Sequence, residues 1–439
     1  MKIKTISRSE ADYTRERSQD IYKVHRNIDP EIHPFEKARE YTRALNATKV
    51  ERMFAKPFVG ALSGHIDGVY CLAKHPTHLT TIVSGSADGE IRLWSLSSRE
   101  TVWSTRGHEG FVRGLTCVPF SDNFISVGED KIVKIWDRSE EEPLQTYIAK
   151  TSFTGVDHHR SQPLFATSSS QIDLWDHSRS QPTQTFNWGA ETITSIKFNQ
   201  TEQSVFASCG TDRTIVLYDI RTNTPLKKII MAMRTNAIAW NPMEAFNFTT
   251  ANEDHNCYTF DMRRLDSAIN VMKDHVSAVL DLDYSPTGQE IVTGSYDKSI
   301  RIFNAQSGHS REIYHTKRMQ KIFCVKFSMD ARFVLSGSDD GNIRLWKANA
   351  SEKLAPKTPR EANAIKYQKA IKERYKHMPE IRRIDRQRQV PKAVKSARKT
   401  KHVMVQSQEK KEENLRKHSA PGAVPHVAER KKNILRVEK

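Results

Sequence analysis

Asp157, His158 and His159 are the residues whose types most readily suggest metal binding or proton transfer in this chain. In a strand, neighbouring side chains point to opposite faces, so two adjacent histidines need ligands from elsewhere to hold one metal ion. The sequence contains no HExxH pattern, no phosphate-binding loop and no nucleophile motif. We therefore predict a non-enzymatic protein with no catalytic residue, cofactor or metal site.

The cysteines suggest structural thiols in an intracellular protein. Cys71, Cys117, Cys209, Cys257 and Cys324 are odd in number, lie far apart and include no CxxC pair. Separated cysteines at strand-like positions are typical of buried, reduced thiols. The first residues lack the apolar core of a signal peptide, and no apolar run approaches the roughly 18 residues that span a bilayer. We expect no membrane partner.

Aspartates recur at a fixed distance from an aromatic residue. Six of them precede an aromatic by six residues, in the pairs Asp88/Trp94, Asp130/Trp136, Asp212/Tyr218, Asp254/Phe260, Asp297/Phe303 and Asp340/Trp346. Trp175 lies in phase with this series, although Ser169 stands where its aspartate is expected. Successive aromatics are 39 to 43 residues apart. This regular spacing indicates seven copies of one structural unit.

Each unit has the pattern of a β-hairpin. An alternating run such as Thr81–Gly85 precedes the aspartate, and a β-rich run such as Glu90–Trp94 follows it. The aspartate falls in the turn, where its carboxylate can accept backbone N–H groups. A period of about 40 to 45 residues with Gly-His and Trp-Asp pairs resembles that of WD-repeat proteins.

The resemblance implies an all-β, seven-bladed WD-repeat β-propeller, which we assign to residues 57–349. We expect Phe58–Leu62 to form the outer strand of the seventh blade and so to join both ends of the ring. We predict a partly helical N-terminal extension over residues 1–56 and a basic, helical C-terminal region over residues 350–439. A helix is predicted from Phe35 to Met53, which either packs on the propeller or docks another protein.

In WD repeats, a histidine, a strand serine or threonine, the turn aspartate and the tryptophan form a hydrogen-bonded set inside each blade. The resemblance implies two complete sets here, His65, Ser84, Asp88 and Trp94 in the first repeat and His108, Ser126, Asp130 and Trp136 in the second. The sixth repeat keeps His275, Thr293 and Asp297 but has Phe303 in place of tryptophan. Because buried polar groups must be paired, complete sets should make a blade more rigid.

The positive charge lies mainly outside the predicted propeller. The net charge of the chain is +17, of which residues 350–439 contribute +16, residues 1–56 contribute +4 and residues 57–349 contribute −3. Such asymmetry favours a tail that faces nucleic acid. A capping box with proline at the first helical position, Thr358–Glu361, predicts a helix that ends near Met378. Residues 407–439 are expected to be largely solvated.

Both ends of the chain are similar to those of WD repeat and SOF domain-containing proteins. The resemblance is carried by Ala348–Leu354, Thr358 to Arg388, Lys392–Lys401, Ser419–Ala423, Met1–Arg8 and His25–Pro30. It implies a scaffold of the small-subunit processome, a nucleolar assembly for early pre-ribosomal RNA processing. The implied partners are processome proteins and the small nucleolar RNP. Lys392–Lys401 and Arg430–Lys432 are also basic clusters of the nuclear-import type, so we expect a nuclear and nucleolar location.

The basic tail has residue types that suit RNA, since cations neutralise phosphates and rings stack on bases. The candidate contacts to pre-ribosomal RNA or RNP are Tyr367, Tyr375, Arg382, Arg383, Arg386, Arg388, Lys392, Lys395, Arg398, Lys399 and Lys401. A basic helix that only docks onto protein is the alternative, because charge does not choose among acidic partners.

A second candidate function comes from two strand ends. Tyr218 to Arg221 and Phe260 to Arg263 are similar to the Trp-Asp-x-Arg box of cullin-4 substrate receptors, with tryptophan replaced by another aromatic. That resemblance implies that Arg221 and Arg263 contact the adaptor of a ubiquitin ligase. The alternative is a strand end with an exposed arginine.

Overall fold

The computed structural model describes residues 31–438 except 33, 189–190, 223 and 421. The chain forms two compact units. Among the described residues, one unit combines Glu31–Ala55 with Ser351–Gln387, and the other combines Lys56–Ala350 with Arg388–Glu438. The C-terminal region predicted over residues 350–439 is thus divided between the two units. The segments Met1–Arg8 and His25–Pro30, which carry part of the family resemblance, lie outside the described residues.

The larger unit contains seven antiparallel sheets, here called blades 1 to 7. The first three are blade 1 with β2 (Val69–Lys74), β3 (Thr81–Ser86), β4 (Glu90–Ser95) and β5 (Glu100–Arg106); blade 2 with β6 (Val112–Cys117), β7 (Phe124–Gly128), β8 (Ile132–Trp136) and β9 (Gln145–Ile148); and blade 3 with β10 (Gly155–His158), β11 (Leu164–Ser168), β12 (Ile172–Asp176) and β13 (Gln184–Phe186).

The remaining blades follow the same order. They are blade 4 with β14 (Ile193–Phe198), β15 (Val205–Gly210), β16 (Thr214–Asp219) and β17 (Pro225–Met231); blade 5 with β18 (Thr235–Trp240), β19 (Asn247–Asn252), β20 (Cys257–Asp261) and β21 (Asn270–Met272); blade 6 with β22 (Val279–Tyr284), β23 (Glu290–Ser295), β24 (Ile300–Asn304) and β25 (Ser310–Tyr314); and blade 7 with β26 (Ile322–Phe327), β27 (Phe333–Ser338), β28 (Asn342–Lys347) and β1 (Phe58–Ser63).

The blades form a closed ring. The first strand of each blade contacts the first strand of the next, and β26 of blade 7 contacts β2 of blade 1. The outer strand of blade 7 comes from the other end of the propeller sequence, because β1 pairs antiparallel with β28 from Phe58↔Trp346 to Ser63↔Asn342. The predicted seven-bladed propeller and its closing strand are confirmed.

The apolar core of the propeller lies between neighbouring blades. In the layer between blades 1 and 2, Val83 and Leu93 pack with Leu115, Phe124 and Trp136, all of them buried. Equivalent layers join blades 2 to 6 in turn and join blade 7 to blade 1. The aromatic residue of each repeat therefore fills the interface between two blades. Because each blade needs one such residue at the same place, the spacing along the sequence is nearly constant.

The turn aspartates shape the hairpins between the second and third strands. Asp212 accepts the backbone N–H of Thr214 at 3.1 Å, and Asp297 accepts that of Ser299 at 3.0 Å. The residue after each aspartate has a positive φ, at Gly89, Lys131, Arg213, His255, Lys298 and Gly341. In blade 3 the Ser169 hydroxyl accepts the N–H of Gln171 at 3.3 Å, so a serine performs the same turn function.

The smaller unit is helical. It contains α1 (Glu36–Met53), α2 (Pro359–Arg374) and α3 (Pro379–Arg386), and its core is Ala44, Ile371 and Ile381. The predicted capping box is present, since the Thr358 hydroxyl accepts the N–H of Glu361 and the Glu361 carboxylate accepts that of Thr358. The helix predicted to reach Met378 ends at Arg374, because a turn after Tyr375 leads into α3.

The C-terminal residues of the larger unit form α4 (Lys392–His418), α5 (Glu429–Lys432) and β29 (Ile434–Glu438). β29 pairs antiparallel with β17 and makes blade 4 a five-stranded sheet. The expectation that residues 407–439 are largely solvated is therefore wrong for β29, whose Ile434 and Val437 pack against the buried cluster of blades 4 and 5. No helix among the described residues has the length and apolarity to cross a membrane.

Candidate functional site

The hydrogen-bonded set is complete in blade 2. The Trp136 Nε1–H donates to Ser126 Oγ at 2.8 Å, and Ser126 Oγ lies 2.7 Å from His108 Nε2. His108 Nδ1 lies 2.9 Å from Asp130 Oδ2. Because a carboxylate can only accept, the neutral histidine donates from Nδ1, and its Nε2 accepts from the serine hydroxyl, whose oxygen accepts the indole N–H. The chain of bonds links the inter-blade wedge to the hairpin turn.

The set in blade 1 differs from the prediction. His65 Nε2 lies 2.7 Å from Ser84 Oγ, which also accepts the Trp94 Nε1–H at 2.7 Å. The other nitrogen, Nδ1, is 3.2 Å from Glu90 rather than from Asp88. Asp88 instead bonds to the Ser86 hydroxyl and the Glu90 N–H. The predicted contact between His65 and Asp88 is wrong, because a second carboxylate two residues downstream reaches the imidazole.

Partial sets stabilise other blades. In blade 6, His275 lies 3.0 Å from Asp297 and 2.7 Å from Thr293, while Phe303 supplies only an apolar wedge. In blade 3, the Trp175 indole donates to Thr167 Oγ1 at 2.9 Å. These bonds lie inside the blades, so they serve rigidity rather than ligand binding.

The ring nitrogens of His159 both take part in structural hydrogen bonds. His159 Nε2 donates to the Gln203 carbonyl at 2.9 Å, and Nδ1 accepts the N–H groups of Ser161 and Gln162. His158 donates from Nδ1 to the carbonyl of His159, and its Nε2 lies 2.9 Å from Nε2 of His177. Burial lowers the pKa of His158 to about 4. These two histidines therefore act as neutral hydrogen-bonding groups.

Two groups among the described residues bring three possible metal ligands together, namely His75, His78 and Asp122, and His65, Asp88 and Glu90. His75 donates from Nε2 to the Ser121 carbonyl at 2.9 Å and accepts the His78 N–H at Nδ1. Both of its ring nitrogens are thus occupied. The second group belongs to the blade 1 set, where both nitrogens of His65 already have partners.

All five cysteines are free thiols, and four of them are buried. Burial raises the pKa of Cys71 and of Cys117 to about 12. A thiol with so high a pKa carries almost no thiolate at neutral pH, so these cysteines are poor nucleophiles and metal ligands.

The axis of the ring contains a cavity of about 330 Å³. Its walls come from the inner strands and carry Lys74, Lys197 and Lys326 together with apolar side chains such as Trp240. Each lysine is paired with an aspartate, as in the Lys74–Asp283 pair at 2.8 Å and the Lys197–Asp157 pair at 2.7 Å. These ion pairs neutralise the lysines of the cavity and connect inner strands, those of blades 3 and 4 through Lys197–Asp157 and those of blades 1 and 6 through Lys74–Asp283.

Arg221 and Arg263 occupy equivalent places on neighbouring blades, just after the third strands β16 and β20. Arg221 is exposed, and its N–H bonds to Asp219 at 3.0 Å. The Arg263 guanidinium pairs with Asp261 at 2.8 Å and lies 4.3 Å from the ring of Phe246. Lys227, on β17 of blade 4, donates to the carbonyl of Arg263 at 2.9 Å and so connects that strand to the loop of blade 5. The two arginines therefore follow equivalent strands of two connected blades.

Among the candidate RNA contacts in the larger unit, three are used to attach the C-terminal segment to blade 6. Arg388 forms an ion pair with Glu312 at 2.9 Å and donates to the Arg311 carbonyl. Arg398 lies 3.6 Å from Asp274, and Lys401 donates to the His275 carbonyl at 3.1 Å. Burial lowers the pKa of Lys401. These three candidate RNA contacts therefore already bind groups of the propeller.

The other three basic candidates of α4 face away from that contact. Lys392, Lys395 and Lys399 are exposed and lie three and four residues apart, whereas the buried Val394 is on the docked side. The structure gives these three lysines no ion-pair partner among the described residues. They span about 10 Å along the helix at 1.5 Å per residue.

The remaining candidates belong to the helical unit. Tyr375 bonds to Glu40 at 3.0 Å and packs edge-on against Tyr41, so it is part of the helix interface. The Tyr367 hydroxyl accepts a bond from Arg43 at 3.3 Å, and the ring is half exposed. Arg382, Arg383 and Arg386 are exposed on α3. The predicted tail site is therefore divided between two units.

Comparison with known families matches two descriptions to this chain. A Sof1-like domain covers residues 348–434, and the WD domain, G-beta repeat, covers residues 56–95, 99–137, 180–219, 267–304 and 308–347. The matched repeats correspond to blades 1, 2, 4, 6 and 7. The fold and these matches define a WD-repeat propeller protein with a Sof1-like C-terminal domain, a class that indicates a scaffold or adaptor.

Full-length relatives make the assignment more specific. DDB1- and CUL4-associated factor 13 of Xenopus laevis is 54% identical over 444 residues, and that of Homo sapiens is 53% identical over 446 residues, with 100% of each chain covered in both cases. Protein SOF1 of Saccharomyces cerevisiae is 51% identical over 465 residues, which cover 99% of this chain and 94% of that protein. The chain belongs to the family of Sof1 and DDB1- and CUL4-associated factor 13.

The two carboxylates of the blade sets predict unequal losses of stability. Asp130→Ala leaves the buried Nδ1–H of His108 without an acceptor and should lower the free energy of unfolding by about 1–3 kcal/mol. Asp88→Ala should cost less, because Glu90 still pairs with His65. Urea denaturation measures both, with the exposed Asp266→Ala as a control near zero. Equal losses for Asp130 and Asp88 would contradict this account.

The low pKa of His158 predicts a pH dependence of stability. Above pH 6.5 the imidazole is neutral in both states, so its contribution is complete. Between pH 6.5 and about pH 4 the unfolded chain takes up a proton that the folded chain does not, and stability falls. Urea denaturation at pH 7 and pH 5 should show a smaller decrease for His158→Gln than for the unsubstituted chain. The exposed His418→Gln should leave the decrease unchanged; a similar effect of both variants argues against His158.

Proposed function

We propose that this protein is a non-enzymatic scaffold of the nucleolar small-subunit processome. In this role it supports pre-ribosomal RNA processing, maturation of 18S ribosomal RNA and assembly of the small ribosomal subunit. The propeller binds processome proteins, and the basic C-terminal segment contacts RNA of the pre-ribosome or of the small nucleolar RNP. The protein acts in the nucleus and concentrates in the nucleolus.

The attachment of α4 is the observation that carries the proposal. Val394, Arg398 and Lys401 hold the first half of the helix against the propeller. A docked helix holds its outward lysines at fixed spacing, which a solvated tail does not. Lys392, Lys395 and Lys399 thus form a rigid basic stripe that suits the phosphates of one RNA strand. The relationship to Protein SOF1 and the Sof1-like domain support the same role.

The propeller itself suits protein partners. Its sequence has a net charge of −3, and the lysines of the central cavity are paired with aspartates. A nearly neutral surface gains little from phosphate neutralisation, so RNA affinity should come from the C-terminal segment. Protein partners, by contrast, are selected by shape and by particular side chains.

Charge reversal on the stripe tests the RNA contact. The variant Lys392→Glu, Lys395→Glu, Lys399→Glu should lose at least tenfold in affinity for single-stranded pre-ribosomal RNA at low salt. Loss of three phosphate contacts should also reduce the slope of log affinity against log salt by about 2. Fluorescence anisotropy of the full chain measures both quantities over a salt series.

The matched control reverses the same number of charges in the helical unit. Lys366, Lys369 and Lys376 are exposed, and their replacement by glutamate changes the net charge equally. If both triple variants lose affinity to the same extent, binding follows net charge and not the stripe. If the unsubstituted chain binds no RNA at low salt, the helix docks onto protein and the chain is a scaffold without RNA contact.

A second candidate function is that of a substrate receptor in a cullin-4 RING ubiquitin ligase. The printed name of several relatives describes them as DDB1- and CUL4-associated. Arg221 and Arg263 support this function here, because they follow equivalent strands of adjacent blades and Lys227 connects β17 to the loop of Arg263. Arg263 is held by Asp261 and Phe246, so its guanidinium is preorganised for a partner.

Substitution of both arginines tests the receptor function. Arg221→Ala with Arg263→Ala should reduce capture of the DDB1 adaptor in pull-down at least tenfold, since arginines at interface centres carry much of the binding energy. Arg179→Ala with Arg264→Ala removes two other exposed loop arginines and should have no effect. Undiminished capture by the first variant would exclude the two boxes as the contact.

A further inference from the structure

The C-terminal segment Ala428–Glu438 of the chain binds along the outer edge of blade 4. β29 within it pairs with β17 at Met231↔Ile434, Ile230↔Arg436, Ile229↔Val437 and Lys228↔Glu438. In the described part of the chain, the outer strands of the other six blades have no fifth strand. β17 has seven residues, as does β5 of blade 1, whereas β13 and β21 have three each. The edge of blade 4 is therefore long enough for strand addition.

Two side chains of β29, three residues apart, face the protein because the pairing with β17 has a register shift between Ile434 and Arg436. Ile434 and Val437 pack against the buried cluster of blades 4 and 5, while Leu435 is 59% exposed. Met231 and Ile229, which lie opposite these two anchors, are fully buried. This arrangement is that of peptides recognised by strand addition, in which backbone bonds supply affinity and alternate side chains supply specificity.

A polar anchor precedes the strand. Asn433 Nδ2 donates to Asp254 Oδ2 at 2.7 Å and to the Tyr258 hydroxyl, both in blade 5. The Asn433 carbonyl accepts the Ala232 N–H at 2.9 Å, and the Arg430 carbonyl accepts the Ala268 N–H at 3.0 Å. The segment therefore contacts both blade 4 and blade 5. The bonds of Asn433 to Asp254 and Tyr258 fix the position of the segment along β17.

The path of the chain makes this segment separable from the fold. Residues 419–428 connect α4 to α5 without helix or strand, and nearly all of those that the structure describes are exposed. The connector also contains Pro421, Gly422 and Pro425, which disfavour regular structure. All seven blades have their four strands without β29, so the segment adds to a completed sheet.

We propose that the edge of β17, with the Asp254 and Tyr258 pair, is a peptide-binding site whose resident ligand is the chain's own C-terminal segment. The ligand class is an extended peptide with asparagine followed by an apolar residue at the next position and at the fourth. The tether keeps the site occupied, because an intramolecular ligand has a high effective concentration. The segment thus occupies the β17 site reversibly and is not an integral strand of blade 4.

Cleavage of the connector after folding tests the proposal in the full chain. A protease recognition sequence is inserted between Ala423 and Val424, and the folded protein is cut. A fluorescein-labelled peptide of residues 428–439 should then enter the site with saturable binding. The uncut chain should bind the same peptide at least tenfold less, because its own segment occupies the site. Fluorescence anisotropy measures exchange, and circular dichroism monitors the fold.

Peptide variants identify the anchors. Ile434→Asp or Asn433→Ala should weaken binding to the cut chain at least tenfold, whereas Leu435→Asp, on the exposed side, should bind like the natural peptide. The proposal is overturned if the labelled peptide does not enter the cut chain, or if Leu435→Asp is as harmful as Ile434→Asp. It is also overturned if cutting unfolds the propeller, since β29 would then be an integral strand.

Discussion

The apolar layers between neighbouring blades are the interaction on which the rest of this structure depends. A four-stranded sheet alone exposes two faces to solvent. Here each face is buried only when the neighbouring blade packs against it. Trp136, for example, is buried between blades 1 and 2, although it belongs to a strand of blade 2. Because each layer needs a sheet on both sides, the arrangement is complete only as a ring. The pairing of β1 with β28 meets this requirement.

The periodic features of the fold could be predicted from the sequence, because they repeat a local pattern seven times. The spacing of aspartate and aromatic residues identifies the hairpins, and the position of Phe58–Leu62 before the first repeat predicts the closing strand. The blade 1 set could not be predicted in the same way. Glu90 and Asp88 lie two residues apart, and only the three-dimensional path decides which carboxylate reaches His65.

The C-terminal segment shows what composition leaves undetermined. The composition gives the number of lysines and arginines in this segment. It does not say which of them form ion pairs or hydrogen bonds with the propeller. Arg388, Arg398 and Lys401 are bound to blade 6, whereas Lys392, Lys395 and Lys399 are free to meet another molecule. The short run Ile434 to Val437 has no regular alternation that would identify a strand, and its partner β17 lies about 200 residues earlier. Long-range pairing of this kind has no local signature.

The pairing of β1 with β28 also determines when the ring can close during synthesis. Phe58 pairs with Trp346, so β1 waits for a partner that is synthesised 288 residues later. At about 5–20 residues per second, that interval is roughly 15–60 s. Throughout this time blade 7 is incomplete. The faces of blades 1 and 6 that blade 7 later covers are exposed to solvent. The nascent chain therefore has an extended period in which chaperones, or premature contacts with other nascent chains, determine its fate.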